Sequence, residues 1–417
     1  MSKIVIEGGK NLNGEVKIGG AKNSILPILA ATLLIDGTTT IHNCPNLSDV
    51  DVALKILSSL GCNFKKENDS ITINCQRVNG VEIPHSLMRE MRSSIVFLGA
   101  ILARTGKAVL SSPGGCELGP RPVDLHIKNL REMGAVIEEN GGCLNCTVND
   151  GFRGKEIFLS FASVGATENL MIAATLAKGK TIIHNVAREP EIIDLAEFLN
   201  SAGAQILGAG SNTLEISGVK KLHDTTHKII PDRIIAATYM AAVGICGGEA
   251  VLNNVIPSHL TGVIDVMKQT GAEIYIKENA LKITSKRRPK RISSLHTQIY
   301  PGFPTDAGPP ILAMLCKAKG TSVFVENIFQ NRYNYIDELK RLGANIKTEG
   351  RVAIIEGGAR LSGAPVEATD LRGGAALVVA GLGAYGITTV DKICYIKRGY
   401  SNIVDDLKNL DANIKEE

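Results

Sequence analysis

Cys116 stands in the stretch S-S-P-G-G-C-E-L-G-P-R-P, where proline and glycine crowd both sides of a thiol. Such a composition reads as a loop rather than a core segment, and Arg121 follows five residues on. A thiol near cationic groups has a lowered pKa and can act as nucleophile or acid. On this chemistry alone an incidental exposed thiol fits equally well. Most of the other eight cysteines lie in apolar or β-like runs, where cysteine behaves as a small hydrophobe.

The charged residues collect at two recurrent points. Lys22 and Asn23, Arg92, Ser163 to Thr167, Asp232 and Arg233, Asp306, and Asp370 with Arg372 all stand where an apolar helical pattern begins. Arg121, Arg188, Arg332 and Arg398, like Cys116, fall in the turn before a second helix. Helix N-termini present unpaired N–H groups and a positive dipole end, which suits phosphates and carboxylates. Arginine there can fork onto either anion. Taken singly, Asp306 in F-P-T-D and Asp370 in A-T-D-L read as helix caps, and the arginines as surface residues. Recurrence at equivalent points favours an anion-binding cavity.

Those points are equivalent because the chain repeats itself. A run of the type x-L-G-A-x-I closes a helical pattern six times, at Ser59, Glu132, Ser201, Gln269, Arg341 and Asn409, the last with Asp411 in place of glycine. Each copy shows an apolar helix, a β-branched strand, an amphipathic helix and a further strand or hairpin. A spacing of about 70 residues suits compact βα units rather than a linear solenoid. The sixth copy stops short, and Lys3 to Asn23 parallels Ala353 to Gly373. The N-terminal strands therefore complete the sixth unit. The expected organisation is two α/β domains of three units each: 22–229, and 1–21 with 230–417, joined by two crossings that form a hinge.

Composition narrows the classes. At 417 residues two large domains are expected. A formal charge of +4 does not suggest nucleic-acid binding as the main task. The basic run Lys286 to Arg291 lacks interleaved aromatics and reads as a solvated loop. No signal-peptide pattern opens the chain and no apolar stretch is long enough to span a bilayer. Nine cysteines without framework spacing read as reduced thiols in a cytoplasmic protein. Cys143-x-x-Cys146 is a lone pair without a second half, and the eight histidines show no metal-ligand spacing. No P-loop or dinucleotide fingerprint occurs.

The segments G-G-A-K-N-S, P-G-G-C-x-x-G-P-R-P-V-D-L-H, S-V-G-A-T-E-N, A-R-E-P-E-I, P-D-R, F-P-T-D, E-N-x-F-x-x-R, A-T-D-L-R and R-G-Y occur together, in that order. The whole chain thereby resembles the enolpyruvyl transferase family, in its UDP-N-acetylglucosamine 1-carboxyvinyltransferase branch. The resemblance implies an inside-out α/β barrel of two threefold pseudo-symmetric domains with the active site in the cleft between them. It implies transfer of the enolpyruvyl group of phosphoenolpyruvate to the 3-hydroxyl of UDP-N-acetylglucosamine, without metal or organic cofactor. Lys22, Arg121 and Arg398 would then hold the phosphate, with Asn23 nearby. Arg332 and Arg372 would hold the carboxylate, and Arg92 would help organise the anionic pocket. Arg121, Pro122, Val123, Asp124, Leu125, Ser163, Val164, Gly165, Asp306 and Ile328 would contact the UDP-sugar. Cys116 would be the acid at the methylene carbon, Asp306 the base at the attacking hydroxyl, and Asp370 an aid to proton movement. The resemblance also implies that fosfomycin adds to Cys116.

Two departures stand out. A-G-P-P follows F-P-T-D where the family has a Met-Gln-type sequence, and altered local packing with intact Asp306 chemistry is expected. Asp411 lies far from the implied site. The rival readings are a 3-phosphoshikimate enolpyruvyl transferase and a non-catalytic UDP-sugar-binding paralogue.

Overall fold

A helix that is apolar on every side must be covered on every side. Six such helices lead the six units: α1 (Lys22–Ala31), α2 (Phe97–Thr105), α3 (Val164–Thr175), α4 (Arg233–Cys246), α5 (Gly308–Leu315) and α6 (Leu371–Gly383). The computed structural model describes residues 2–111, 123–286 and 288–417. In it α1, α2 and α3 pack together in one unit, and α4, α5 and α6 in the other, with the sheets around them. Every residue of α4 from Ile234 to Cys246 is buried. This is the inside-out α/β barrel. Close approach of the helices requires glycine at contact points. A side chain on Gly99 of α2 would run into Asn169 and Ala173 of α3, and one on Gly244 of α4 would run into Met314 of α5.

Residues up to 19 together with 231–417 form one compact unit, and residues 20–111 with 123–230 belong to the other. Among the described residues six sheets cover the helices, five of four strands and one of three. In the four-stranded sheets a lead strand arrives from a different repeat and pairs in parallel. Thr225–Lys228 joins Thr38–His42, Glu156–Phe158 joins Lys180–His184, and Leu295–His296 joins Thr321–Val325. The strand Ile4–Glu7 lies antiparallel between Ile387–Asp391 and Asn413–Glu416, with Ile4 opposite both Val390 and Glu416, and so completes the sixth sheet. The second N-terminal strand does not stay with it. Leu12–Lys17 pairs in parallel with Gly248–Asn253 in the fourth sheet, because every lead strand crosses to the next sheet, as Pro365–Glu367 crosses to the sixth.

The sixfold landmark now has a physical reading. Gly61, Gly134, Gly203, Gly271 and Gly343 all have φ between 90° and 110°, the left-handed turn that ends each second helix. Asp411 holds the same place at φ 64°, a conformation that aspartate tolerates better than most residues. Pro309 and Pro310 fall in the first turn of α5 after a 3-10 turn at Thr305–Ala307. Their missing N–H groups would have had no intrahelical partner there.

The cysteines depart from expectation at one point. Cys62 and Cys75 are joined in a disulfide, with Cα atoms 4.5 Å apart. They flank the hairpin Asn63–Glu67 and Ser70–Asn74, whose register sets Asn63 opposite Asn74 and so brings the next pair face to face. Cys143 and Cys146 sit three apart on the strand Cys143–Val148, so they face opposite sides of their sheet. In the basic run, Lys286, Arg288, Lys290 and Arg291 are all exposed. No helix among the described residues is long and apolar enough to cross a membrane.

Candidate active site

In the unit built on α1 to α3, Lys22 opens α1 and is buried. Its Nζ lies 2.7 Å from Asp49 Oδ2, with side chains 10% and 4% exposed. Asp49 comes from the first turn of the helix Ser48–Ser59. Asn23 follows Lys22 and is half-buried. The start of α1 is fastened further by Ser24, whose hydroxyl donates to the buried Asp194. Asp194 is also bonded to His227 Nε2 at 2.8 Å. Arg92 opens the 3-10 turn Arg92–Val96. Cys116, Arg121 and Pro122 lie outside the described residues.

Val123, exposed Asp124 and half-buried Leu125 lead into the helix Asp124–Glu132. Ser163 caps α3 by accepting from Ala166 N, and Val164 and Gly165 form its first turn. These two segments are tied together by a polar cross-brace that the sequence did not announce. Asn169 of α3 accepts from Gly99 N at 2.7 Å with its Oδ1, and its Nδ2 donates to Ile95 O. The same Nδ2 lies 3.0 Å from His126 Nδ1. An amide nitrogen only donates, so Nδ1 accepts and His126 is neutral with its proton on Nε2. Burial agrees, since it lowers the His126 pKa to about 4 against the opposing pull of Asp124. Gly165 leaves room for the ring, because a Cβ there would stand 3.3 Å from His126 Cε1.

This brace gives a pH dependence. A histidine whose pKa falls on folding takes up its proton more readily in the unfolded chain, so acid favours unfolding. Its contribution is complete above pH 6.5 and is lost as pH falls toward 4. The loss should reach about 3 kcal/mol. Denaturant titrations at pH 7 and pH 4.5 should show the drop, and His126→Gln should flatten it.

In the unit built on α4 to α6, the decisive group is a carboxylate between two arginines. Arg332 Nη2 donates to Asp306 Oδ1 at 2.8 Å and Arg372 Nη2 donates to Asp306 Oδ2 at 3.2 Å. The arginine side chains are 3% and 2% exposed, that of Asp306 26%. Arg332 Nε and Arg372 Nη1 are buried and have no hydrogen-bond partner among the described residues. Burial alone would lower the Arg372 pKa. Tyr400, Asp306 and Asp232 outweigh it and hold the guanidinium firmly charged. Arg332 also stands over the Phe329 ring, 5.4 Å from its centroid.

Asp370 is placed differently from Asp306. It caps α6, accepting from Arg372 N at 2.9 Å and Gly373 N at 3.0 Å. The cap thereby fixes the backbone that carries Arg372. Ile328 is half-buried in the turn after Thr321–Val325, and Arg398 is half-buried at the end of the 3-10 turn Ile396–Arg398. Three thiols elsewhere are unsuited to acid–base work: burial pushes Cys44 and Cys316 up to about 12 and Cys146 to about 11. Among the described residues no group of three or more His, Cys, Asp or Glu could hold a metal ion.

Asp49, His126 and Asn169 were missed from the sequence. Asp49 looked like an ordinary acidic residue of a helix first turn, and only the fold sets it against Lys22.

A family model described as EPSP synthase (3-phosphoshikimate 1-carboxyvinyltransferase) matches residues 6–407. UDP-N-acetylglucosamine 1-carboxyvinyltransferase 2 of Caldanaerobacter subterraneus subsp. tengcongensis is 52% identical over 414 residues, 99% of each chain. The chain belongs to the UDP-N-acetylglucosamine 1-carboxyvinyltransferase family. A member from Geobacter metallireducens is 44% identical over 415 residues, covering 100% of this chain and 99% of its own. Among solved structures, the enolpyruvyl transferase NikO from Streptomyces tendae has a TM-score of 0.89 at 22% identity, covering 100% of this chain and 98% of its own. An EPSP synthase from Acinetobacter baumannii has a TM-score of 0.75 at 20% identity, with full coverage of both. At such identities these structures establish the fold. The identity to curated family members places the chain on the UDP-sugar branch rather than the shikimate branch.

Proposed function

We propose that this chain transfers the enolpyruvyl group of phosphoenolpyruvate to the 3-hydroxyl of UDP-N-acetylglucosamine and releases phosphate, the first committed step of peptidoglycan precursor synthesis. The observation that carries this reading is the pair Arg332 and Arg372. Two buried guanidiniums share one carboxylate, and each keeps a buried N–H without a hydrogen-bond partner among the described residues. Buried donors without partners are costly, and a second carboxylate, that of phosphoenolpyruvate, would satisfy them. Lys22, Arg121 and Arg398 take the phosphate, with Asn23 beside it, and Arg92 adds to the cationic surroundings. Val123, Asp124, Leu125, Ser163, Val164, Gly165 and Ile328 contact the UDP-sugar, as do Arg121 and Pro122.

The chemistry follows from those roles. Cys116 gives a proton to the methylene carbon of phosphoenolpyruvate, and C2 becomes oxocarbenium-like. The sugar 3-hydroxyl adds to C2 while its proton passes to Asp306, giving a tetrahedral phospholactoyl ketal. The Cys116 thiolate takes back a methyl proton while phosphate departs with the proton held by Asp306, which restores the vinyl group and both catalytic groups. The cations offset repulsion between two anionic substrates and stabilise the departing phosphate. At rest both Asp306 oxygens serve arginines. Arrival of the phosphoenolpyruvate carboxylate on those arginines frees Asp306 to act as the base.

Phosphate release on mixing protein, phosphoenolpyruvate and each acceptor tests the reading. Release only with UDP-N-acetylglucosamine supports it, whereas release with shikimate 3-phosphate, or with neither acceptor, rules it out. Fosfomycin should label wild type at Cys116 and leave Cys116→Ser unlabelled. Peptide mass spectrometry showing the label on another cysteine would remove Cys116 from the mechanism.

A further inference from the structure

The motif E-N-x-F-x-x-R contains a glutamate to which the proposed mechanism gives no task. Glu326 is 1% exposed, an unusual place for a carboxylate. It accepts four hydrogen bonds. Oε1 takes Thr297 Oγ1 at 2.9 Å, Ile328 N at 2.7 Å and Phe329 N at 3.1 Å, and Oε2 takes Thr305 Oγ1 at 2.8 Å. One side chain thus fastens the turn before Asp306 to the turn that bears Ile328 and Phe329. The ring of contacts closes through Arg332, which lies over Phe329 and donates to both Thr305 O and Asp306.

Comparison of the repeats shows that Glu326 is a departure from the common plan. In three units an asparagine directly follows the second strand of the sheet and donates its amide to the lead segment: Asn43 to Ile229 O, Asn185 to Leu159 O, and Asn254 to Ile18 O. Each has φ between 55° and 58°. In the fifth unit the same bond is made by Asn327 to Thr297 O. One extra residue, Glu326, stands between that asparagine and the strand end Val325. Asn327 also donates its backbone N–H to Thr297 Oγ1, which in turn donates to Glu326. The repeat can be built without this glutamate, and the unit that has it is the one that carries Asp306 and Ile328.

We infer that Glu326 is a positioning residue of the reaction, holding the Asp306 turn and the Ile328 turn in mutual register. This rests on the proposed assignment of Asp306 as base and Ile328 as UDP-sugar contact. An anion can accept all four donors at once, and no uncharged side chain of that size offers four acceptor sites without a competing donor. The two turns face different steps: Thr305 connects Glu326 to the proton transfer, while Ile328 and Phe329 connect it to sugar binding.

That division supplies the test. Glu326→Ala should raise KM for UDP-N-acetylglucosamine about tenfold and lower kcat about a hundredfold, the order expected for an ångström of misplacement. Glu326→Gln should recover most of both, because the Thr305 hydroxyl can turn and accept from the new amide. Thr305→Val keeps shape but cuts only the link to Asp306, so kcat should fall and KM for the sugar should hold. On an Asp306→Asn background Glu326→Ala should add its KM effect and no further loss of kcat. A lowered melting temperature with unchanged kcat and KM per folded molecule would overturn the inference, as would a kcat loss that multiplies fully with Asp306→Asn. Should Glu326→Ala not fold, Thr305→Val decides: undiminished kcat overturns it. If Asp306→Asn itself turns over normally, the base assignment fails. The sugar KM of Glu326→Ala then settles Glu326 alone, a rise supporting it and no change overturning it.

Discussion

Replacing Asp306 by alanine should lower turnover about a hundredfold to ten-thousandfold and yet tighten the binding of phosphoenolpyruvate. The first effect follows from loss of the proposed base at the sugar hydroxyl. The second follows from the resting geometry, in which Asp306 occupies Arg332 at 2.8 Å and Arg372 at 3.2 Å. An incoming carboxylate competes with it for the same two guanidiniums, and without it the two forks stand open. The variant should also unfold more easily, because two buried like charges lose the carboxylate between them. Adding phosphoenolpyruvate should restore more stability to the variant than to wild type, since ligand binding to the folded state alone is stabilising. Calorimetric titration and thermal melts with and without phosphoenolpyruvate measure both. Turnover within about tenfold of wild type would remove Asp306 as the base. Weaker phosphoenolpyruvate binding would show instead that Asp306 helps to hold this substrate rather than competing with it.

Much of this arrangement was legible because the chain repeats. A glycine that ends a helix in the left-handed region leaves a mark in the sequence, and six such marks at even spacing give the units directly. Asp411 confirms the rule by being a tolerable substitute there. The mostly apolar lead helices were legible as elements, while the inside-out arrangement came only from the family resemblance. Asp306, Arg332 and Arg372 could be grouped because their motifs are specific, and the fold brings them within hydrogen-bond reach. What could not be read was any pairing set by packing between elements distant in the chain. Asp49 meets Lys22 only because the second helix of the first unit lies against α1. Asn169 reaches Gly99 and His126 from 70 and 43 residues away. The course of Leu12–Lys17 was misplaced for a related reason. Local similarity to Ala353 to Gly373 reveals the strand but not which sheet it joins, and every lead strand joins a neighbour's. The Cys62–Cys75 disulfide likewise depends on hairpin register, which composition does not reveal.

Lys22 poses the complementary problem, since a buried lysine can be structural, functional or both. Its pairing with Asp49 at 2.7 Å is almost wholly removed from water. Breaking a buried ion pair by removing one partner costs about 3–5 kcal/mol, whereas an apolar pair of similar volume is often tolerated. Lys22→Met should therefore abolish turnover and also destabilise the protein by that order, leaving Asp49 without its ammonium. The double variant Lys22→Met with Asp49→Leu should regain most of the stability, because neither member of the pair is then charged. It should not regain turnover if the ammonium is what receives the phosphate of phosphoenolpyruvate. Denaturant unfolding gives the first quantity and phosphate release the second, on the same three proteins. Recovery of turnover together with stability would show that Lys22 serves only to hold α1 against the helix Ser48–Ser59. Recovery of stability without turnover separates the two roles, and assigns to the lysine charge a task that no packing residue can supply.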